Sequence, residues 1–235
     1  MLKKQTLKSK KNCLLANKNL IKKNLSIQTF GNVSQRVDKN HFIIKPSGIN
    51  LNTIKHKDFN VISISSGRVV EGNLNPSSDT ETHRVLYSQW ANIKGIAHGH
   101  PTYGTSWAQT GKPIPVLGTT HADYFDKHVP ITNRMKKKDV KNKYEYNTGL
   151  EILKTFKKQK LKPNKCPGIL IRYHGVFAWG NSSNEAVKNL ELIEFIGLLA
   201  FNSVKIGLKD KIDTNLIRKH FDRKHGANFY YGQKK

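Results

Sequence analysis

Acidic residues are scarce in this sequence: 16 Asp and Glu stand against 41 Lys and Arg, a formal net charge of +25 over 235 residues. The deficit excludes an acidic, solvating chain. It raises the case of a nucleic-acid binder, since Lys and Arg neutralise phosphates and release counterions. The lysines, however, are spread along the whole chain among abundant Asn and Ile, and no recognisable nucleic-acid module accompanies them. They read as a solvated coat with a general attraction for anionic metabolites and no specific nucleic-acid partner. Cysteine is nearly absent: Cys13 and Cys166 offer neither a disulfide framework nor paired thiolate ligands, so a reducing, cytoplasmic setting is the expectation. Long apolar runs are missing as well. The best one, residues 195–201, is followed within a turn by Lys205 and is far too short to span a membrane. Leu14-Leu15-Ala16 is too short for the apolar stretch of a signal peptide. What is present is 37% hydrophobic residues with three Trp and ten Phe, enough for a core. The length suits one domain over residues 1–235.

Residues 2–22 read as a basic amphipathic helix with Leu7, Leu14, Leu15 and Ile21 near helical spacing. Residues 29–72 switch to strand chemistry, with β-rich runs at 42–44, 61–64 and 68–70 and a hairpin-like turn at Ser66-Gly67. Ser78-Asp79-Thr80-Glu81 matches a capping box that opens a helix to about Trp90. A buried strand follows at 95–98, and Pro101 opens a helix ending near Gly111. Residues 136–160 are helical, with an interruption expected at Asn147 and Gly149. Two strands, 168–173 and 176–179, are joined by His174-Gly175. A second capping box at Ser182 opens a helix to about Val204, apolar on most faces and therefore expected in the core or at a subunit contact. Asp213 can cap a last helix. The pattern is α/β with a largely antiparallel sheet.

His98-Gly99-His100 is the strongest chemical feature. Positions i and i+2 of a strand point to one face, so both imidazoles can meet one ion. Alone the pair is a weak signal, because neighbouring histidines arise by chance. His174 stands at the end of another predicted strand, and Asp79 lies in the first turn of a helix whose end falls near the His98 strand. Three imidazoles and a carboxylate suit Zn²⁺ or Mn²⁺ better than Mg²⁺ or Ca²⁺. Asp79 reads equally well as a plain first-turn carboxylate, and His83, four residues on, is a rival ligand, a partner or a packed side chain. Gly31-Asn32, Ser47-Gly48 and Ser77-Ser78 each combine small residues with hydrogen-bond donors, and Lys45 adds a charge. Together they suit an anion; singly each is an ordinary turn. Asp123, in the polar segment 119–124, either offers a carboxylate for proton transfer or is a solvated loop aspartate, and Tyr231 is either a general acid or a tail residue.

The ordered set Phe30-Gly31-Asn32-Val33-Ser34, Ile44-Lys45-Pro46-Ser47-Gly48, Pro76-Ser77-Ser78-Asp79-Thr80, Gly118-Thr119-Thr120-His121-Ala122-Asp123-Tyr124-Phe125, His174-Gly175-Val176-Phe177-Ala178-Trp179-Gly180 and the ending 223–233 closely resembles the L-ribulose-5-phosphate 4-epimerase family of the class II aldolase and adducin-like superfamily. The resemblance runs from about Leu7 to Gln233. It implies a three-layer α/β/α fold with a central, mainly antiparallel sheet, and a homotetramer with active sites at subunit boundaries. It implies one Zn²⁺ held by Asp79, His98, His100 and His174, and a sugar-phosphate substrate held by Gly31, Asn32, Ser47, Gly48, Ser77 and Ser78 with Lys45 beside them. Asp123 and Tyr231 match the positions the family uses for proton transfer. The implied reaction is a retro-aldol cleavage of C3–C4 and re-addition after rotation of the aldehyde, which inverts C4. Related aldolases place Glu where this chain has Asp79. The chain departs from the expected pattern at Gly99, where a hydroxyl residue is expected, and at Pro101, where Ser is expected.

Overall fold

Short runs of β-branched residues in the first half of the chain, and apolar segments around residues 96, 170 and 178, can bury themselves only by pairing with one another. In the computed structural model, which describes residues 2–227 and 229–232, they form one seven-stranded sheet. Gln233, the last residue of the ending motif, lies outside the described residues. The strands are β1 (Asn32–Arg36), β2 (His41–Ile44), β3 (Asn60–Ser63), β4 (Val69–Glu71), β5 (Gly95–Gly99), β6 (Gly168–Ile171) and β7 (Gly175–Gly180), in the order β4-β3-β2-β1-β5-β7-β6. Every named pairing is antiparallel. Gly67, at φ +74°, makes the turn between β3 and β4.

Helices α1 (Leu2–Lys22), α3 (Thr102–Thr110) and α7 (Ser183–Ile206) cover one face of the sheet, and α2 (Thr80–Gln89) packs with α6 (Tyr144–Lys158) on the other. Short helices α4 (Thr119–Ala122) and α5 (Lys137–Lys141) and the last helix, α8 (Thr214–His225), complete the α-helices among the described residues, with one 3-10 turn at His56–Asp58. The three-layer α/β/α architecture with a central antiparallel sheet is therefore present. Trp90 packs at a tilt against Trp179 and Phe156 under α2 and α6, with ring centroids 4.7 and 5.1 Å away. The polar segment 119–124 contains the single turn of α4.

Several local expectations are corrected. The buried stripe of α1 is Lys10, Cys13, Ala16, Asn17 and Leu20, whereas Leu7 and Leu15 are exposed and Leu14 and Ile21 only partly covered. Hydrogen bonding decides this: the Asn17 side chain donates to the Val33 carbonyl (3.0 Å) and accepts from its N–H (2.9 Å), fastening α1 to β1 through a polar residue that a hydrophobic pattern skips. The capping box at Ser78 does not form. The helix starts at Thr80, Asp79 occupies the N-cap position without capping, and Glu81 pairs with Arg84. At Ser182 only the N-cap half of the box forms, its Oγ accepting from Glu185 N–H at 3.1 Å, while the Glu185 carboxylate accepts from Asn181 N–H rather than from Ser182 N–H. Of the apolar helix α7, Leu190, Ile193 and Ile196 are buried and Phe195 and Leu199 exposed.

No break occurs at Asn147 or Gly149. The interruption lies earlier, at Asn142-Lys143, and Lys143 adopts a left-handed conformation at φ +52°. Gly149 serves instead as a contact point between α6 and α2: a Cβ there would lie 2.8 Å from Val85 Cβ and 3.2 Å from the Thr82 carbonyl. Thr82 Oγ1 donates to the Glu145 carbonyl at 2.6 Å across the same seam. Gly149→Leu should therefore lower the unfolding free energy by about 2 kcal/mol, overpacking outweighing the gain in helix propensity. A urea midpoint equal to or above that of the parent protein would contradict this account of the seam.

Candidate active site

Because side chains alternate along β5, Ile96 and His98 face α2 and α6 while Gly95, Ala97 and Gly99 face α7 and the residue 25 turn. Asn32 of β1 and Phe177 of β7 lie opposite His98 in register, and the Phe177 ring stacks on the imidazole at 4.2 Å between centroids. His98 Nδ1 lies 3.0 Å from the Val176 carbonyl, which fixes the proton on Nδ1 and leaves Nε2 with a lone pair facing the cleft. Burial and the neighbouring histidines push the His98 pKa well below its ordinary value, so the ring is neutral.

His100 follows β5 directly, its N–H donating to the Leu25 carbonyl at 3.1 Å. Gly99 is needed for that approach, since a Cβ at 99 would stand 2.6 Å from the same carbonyl oxygen. The unexpected glycine thus reflects a close turn of backbone. His174 sits in the turn between β6 and β7, just after Tyr173 at φ +64°. The ligand atoms of His98, His100 and His174 all lie within 4.8 Å of one another, and the Nε2 atoms of His98 and His100 are 3.1 Å apart. Burial lowers the pKa of His100 and of His174 as well, so the cluster presents neutral imidazoles. Asp79 Oδ2 lies 3.9 Å from His98 Nε2 and accepts from Asn32 Nδ2 at 2.7 Å. Lone pairs converging from three neutral rings with a carboxylate beside them are the donor set of a transition-metal ion, and this cluster can hold one. The rival His83 is not part of it. Its Nδ1 is 2.7 Å from Ser34 Oγ, which in turn meets Tyr87 OH, and the ring is fully buried.

The expected anion loops stand at the same cleft. Residues 45–48 and 75–78 are bound side by side: Ser47 N–H donates to the Asn75 carbonyl and Ser77 N–H to the Lys45 carbonyl, at 2.9 and 3.0 Å. Gly31, Asn32, Lys45, Ser47, Gly48, Ser77, Ser78, Asp79, His98, His100 and His174 all line one cavity of about 340 Å³. Lys45 is almost wholly buried, its ammonium donating to the Thr29 and Pro46 carbonyls at 3.2 and 3.3 Å. Burial lowers its pKa and the Asp79 charge opposes that shift.

Asp123 and Tyr231 are placed elsewhere. Neither lines this cleft, but they are brought together with each other. Arg223 donates to both oxygens of Asp123, at 2.9 and 2.7 Å, and its guanidinium lies 4.9 Å from the Tyr231 ring centre. His220 and Lys224 add contacts at 3.0 and 3.4 Å. Burial works against the Asp123 carboxylate, yet hydrogen bonds from Arg223 and His220 outweigh it and hold the pKa below the usual carboxylate range. The cluster sits at the α4–α8 contact.

Sequence reasoning missed Tyr144 and Glu145, which line the cleft from the first turn of α6. Tyr144 OH lies 3.1 Å from His174 Nδ1. An aromatic residue at a helix start carries no pattern by which it could have been singled out.

Comparison with known proteins gives a consistent result. The Class II Aldolase and Adducin N-terminal domain matches residues 11–199. L-ribulose-5-phosphate 4-epimerase UlaF of Salmonella paratyphi A is 43% identical over 223 residues, covering 93% of this chain and 96% of that protein. Among solved structures, an L-fuculose 1-phosphate aldolase superposes with a TM-score of 0.76 at 23% identity, covering 92% of this chain and 95% of that one. The corresponding aldolase from Glaciozyma antarctica PI12 gives 0.76 at 16% identity, with 94% and 83% covered.

The buried histidines set a pH response. Burial lowers His83 to about 3 and His121 to about 4. Between the unfolded value near 6.5 and these folded values the unfolded chain binds more protons, so stability present above pH 6.5 is lost as pH falls. Metal-free protein should lose about 1 kcal/mol per pH unit for each such histidine between about pH 6 and 4, and His121→Gln should lessen the slope. Urea unfolding at several pH values measures this, and a flat profile would contradict it.

Proposed function

The chain belongs to the class II aldolase and adducin family, and on that premise we propose that it interconverts L-ribulose 5-phosphate and D-xylulose 5-phosphate by epimerisation at C4. The observation that carries the reading is the meeting, in one cleft, of a three-histidine cluster with Asp79 and a pair of serine-rich loops beside a buried lysine. The relative named as an epimerase, matched over nearly its full length, supports the choice of substrate.

His98, His100, His174 and Asp79 would hold a Zn²⁺ ion, which when bound supplies Lewis-acid polarisation of the sugar carbonyl. Asn32 orients the Asp79 carboxylate by donating to it. The backbone around Ser47-Gly48 and Ser77-Ser78, with Lys45, would grip the phosphate, so that the aldehyde fragment turns without leaving. A base takes the proton from the C4 hydroxyl as the C3–C4 bond breaks and C4 becomes an aldehyde carbon. Re-addition to its other face restores the bond with inverted configuration, and an acid returns a proton to the C4 oxygen. Asp123 and Tyr231 fill these two roles. Because they stand apart from the cleft of their own chain, we place them at the cleft of a neighbouring copy in a homotetramer. Phe195, Leu199, Phe201, Val204 and Leu216, exposed on α7 and α8, supply apolar surface for that assembly. Two buried, unpaired cysteines suit a reducing, cytoplasmic setting. No helix of the described residues is long and apolar enough to cross a membrane.

Incubation with L-ribulose 5-phosphate and Zn²⁺ should yield D-xylulose 5-phosphate. Free glycolaldehyde phosphate without the epimer would identify a fragment-releasing aldolase instead. His98→Asn should lose both metal and turnover. Tyr231→Phe should retain metal while turnover falls about 10²-fold or more; unchanged turnover would return Tyr231 to a tail residue.

A further inference from the structure

We propose that Tyr144 is the positioning residue of the metal centre: its hydroxyl accepts from His174 Nδ1–H and so sets the tautomer and aim of that ligand. The inference rests on the metal reading above and adds to it a residue outside the ligand set. An imidazole that binds a cation through Nε2 must carry its proton on Nδ1, and that proton needs an acceptor in a site this buried. His98 meets the need with a backbone carbonyl, Val176, which no substitution of a side chain removes. His174 meets it with the phenol of Tyr144, 3.1 Å away. The anchoring of His174 is thus the one that a single side-chain oxygen supplies.

The backbone is arranged to bring this pair together. His174 directly follows Tyr173 and Tyr144 directly follows Lys143, and both preceding residues hold the left-handed conformation, at φ +64° and +52°. Such a conformation is uncommon for residues with a Cβ and costs about 1 kcal/mol each. Surrounding bonds hold both turns. Tyr173 N–H donates to the Ala108 carbonyl at 3.0 Å. Asn147 Nδ2 donates to the Asp139 and Asn142 carbonyls, at 3.0 and 2.7 Å, bracing the turn before α6. The first turn of α6 is tied to α2, the helix that begins beside Asp79, through Thr82 and the Glu145 carbonyl. Two ligands from distant parts of the chain, Asp79 and His174, are therefore referred to one common element.

Tyr144→Phe keeps the ring, whose centroid lies 6.0 Å from that of His174, and removes only the oxygen. Metal-stripped parent and variant proteins would be titrated with Zn²⁺ against a chromogenic chelator. The Co²⁺-loaded forms would be compared by their d–d absorption. We expect a 10- to 100-fold weaker affinity in the variant and a changed cobalt spectrum, with the unfolding midpoint of the metal-free protein unmoved. Equal affinities and identical spectra would overturn the proposal, as would a loss of affinity that only tracks a fall in metal-free stability. His98→Asn in the same titration separates the two readings. A parent protein that binds no tighter than His98→Asn defeats the metal site itself, whereas tight binding by both parent and Tyr144→Phe defeats the role of Tyr144 alone.

Discussion

Everything chemical in this molecule depends on the register of three central strands. Asn32 of β1, His98 of β5 and Phe177 of β7 stand level across the sheet, one pairing on each side of the histidine. From that alignment follow the stack of Phe177 on the imidazole, the reach of Asn32 to Asp79, and the proximity of the Val176 carbonyl that fixes the His98 proton. A slip of one residue would turn His98 toward the α1–α7 layer, where Leu25 and Leu190 leave room only for glycine. The apolar packing of Trp90, Phe156 and Trp179 beneath α2 and α6 opposes such a slip, so the core holds the site in place.

Helix capping shows how the fold and the site share residues. Ser182 and Asp213 cap α7 and α8 with their side chains. Asp79 occupies the same position on α2 and does not cap, although an aspartate there commonly contributes about 1 kcal/mol. Its carboxylate is drawn instead to Asn32 and toward His98. No side chain caps the first turn of α2, whose Thr80 N–H bonds to the Ser77 carbonyl at 3.0 Å instead. On the proposed reading, local stability is exchanged for a carboxylate beside the histidine cluster.

Much of this was legible in the sequence, for identifiable reasons. The two-residue period of a strand placed His98 and His100 on one side, and the apolar segments flanking His174 marked it as a turn between strands. The sheet, most helices and the loops at 45–48 and 75–78 followed from β-branched runs and turn residues. Expectation failed where tertiary bonds overrule periodicity. Asn17 is buried in α1 because β1 offers it a complete set of partners, and α6 runs through Gly149 because Val85 fills the space. The actual break, at Lys143, uses a left-handed lysine that nothing in composition announces. Tyr144 was hidden behind that break. Asp123 stood out only as a carboxylate in a polar segment and by family likeness; its ties to His220 and Arg223, about a hundred positions further on, had no local signal.

Arg223 joins Asp123 to Tyr231 at a distance from the histidine cluster, so under the proposed function one chain would carry two incomplete halves of a reaction centre. On the proposed reading, a newly made or dissociated subunit is chemically silent: it can bind a sugar phosphate but has nothing to move the C4 proton. Aldol cleavage carries a hazard, the escape of a free aldehyde, and a catalyst assembled only from neighbouring copies cannot begin that cleavage before its walls are closed. Activity would then vanish on dilution more steeply than protein concentration. Chains damaged in different halves could still complement one another within one assembly.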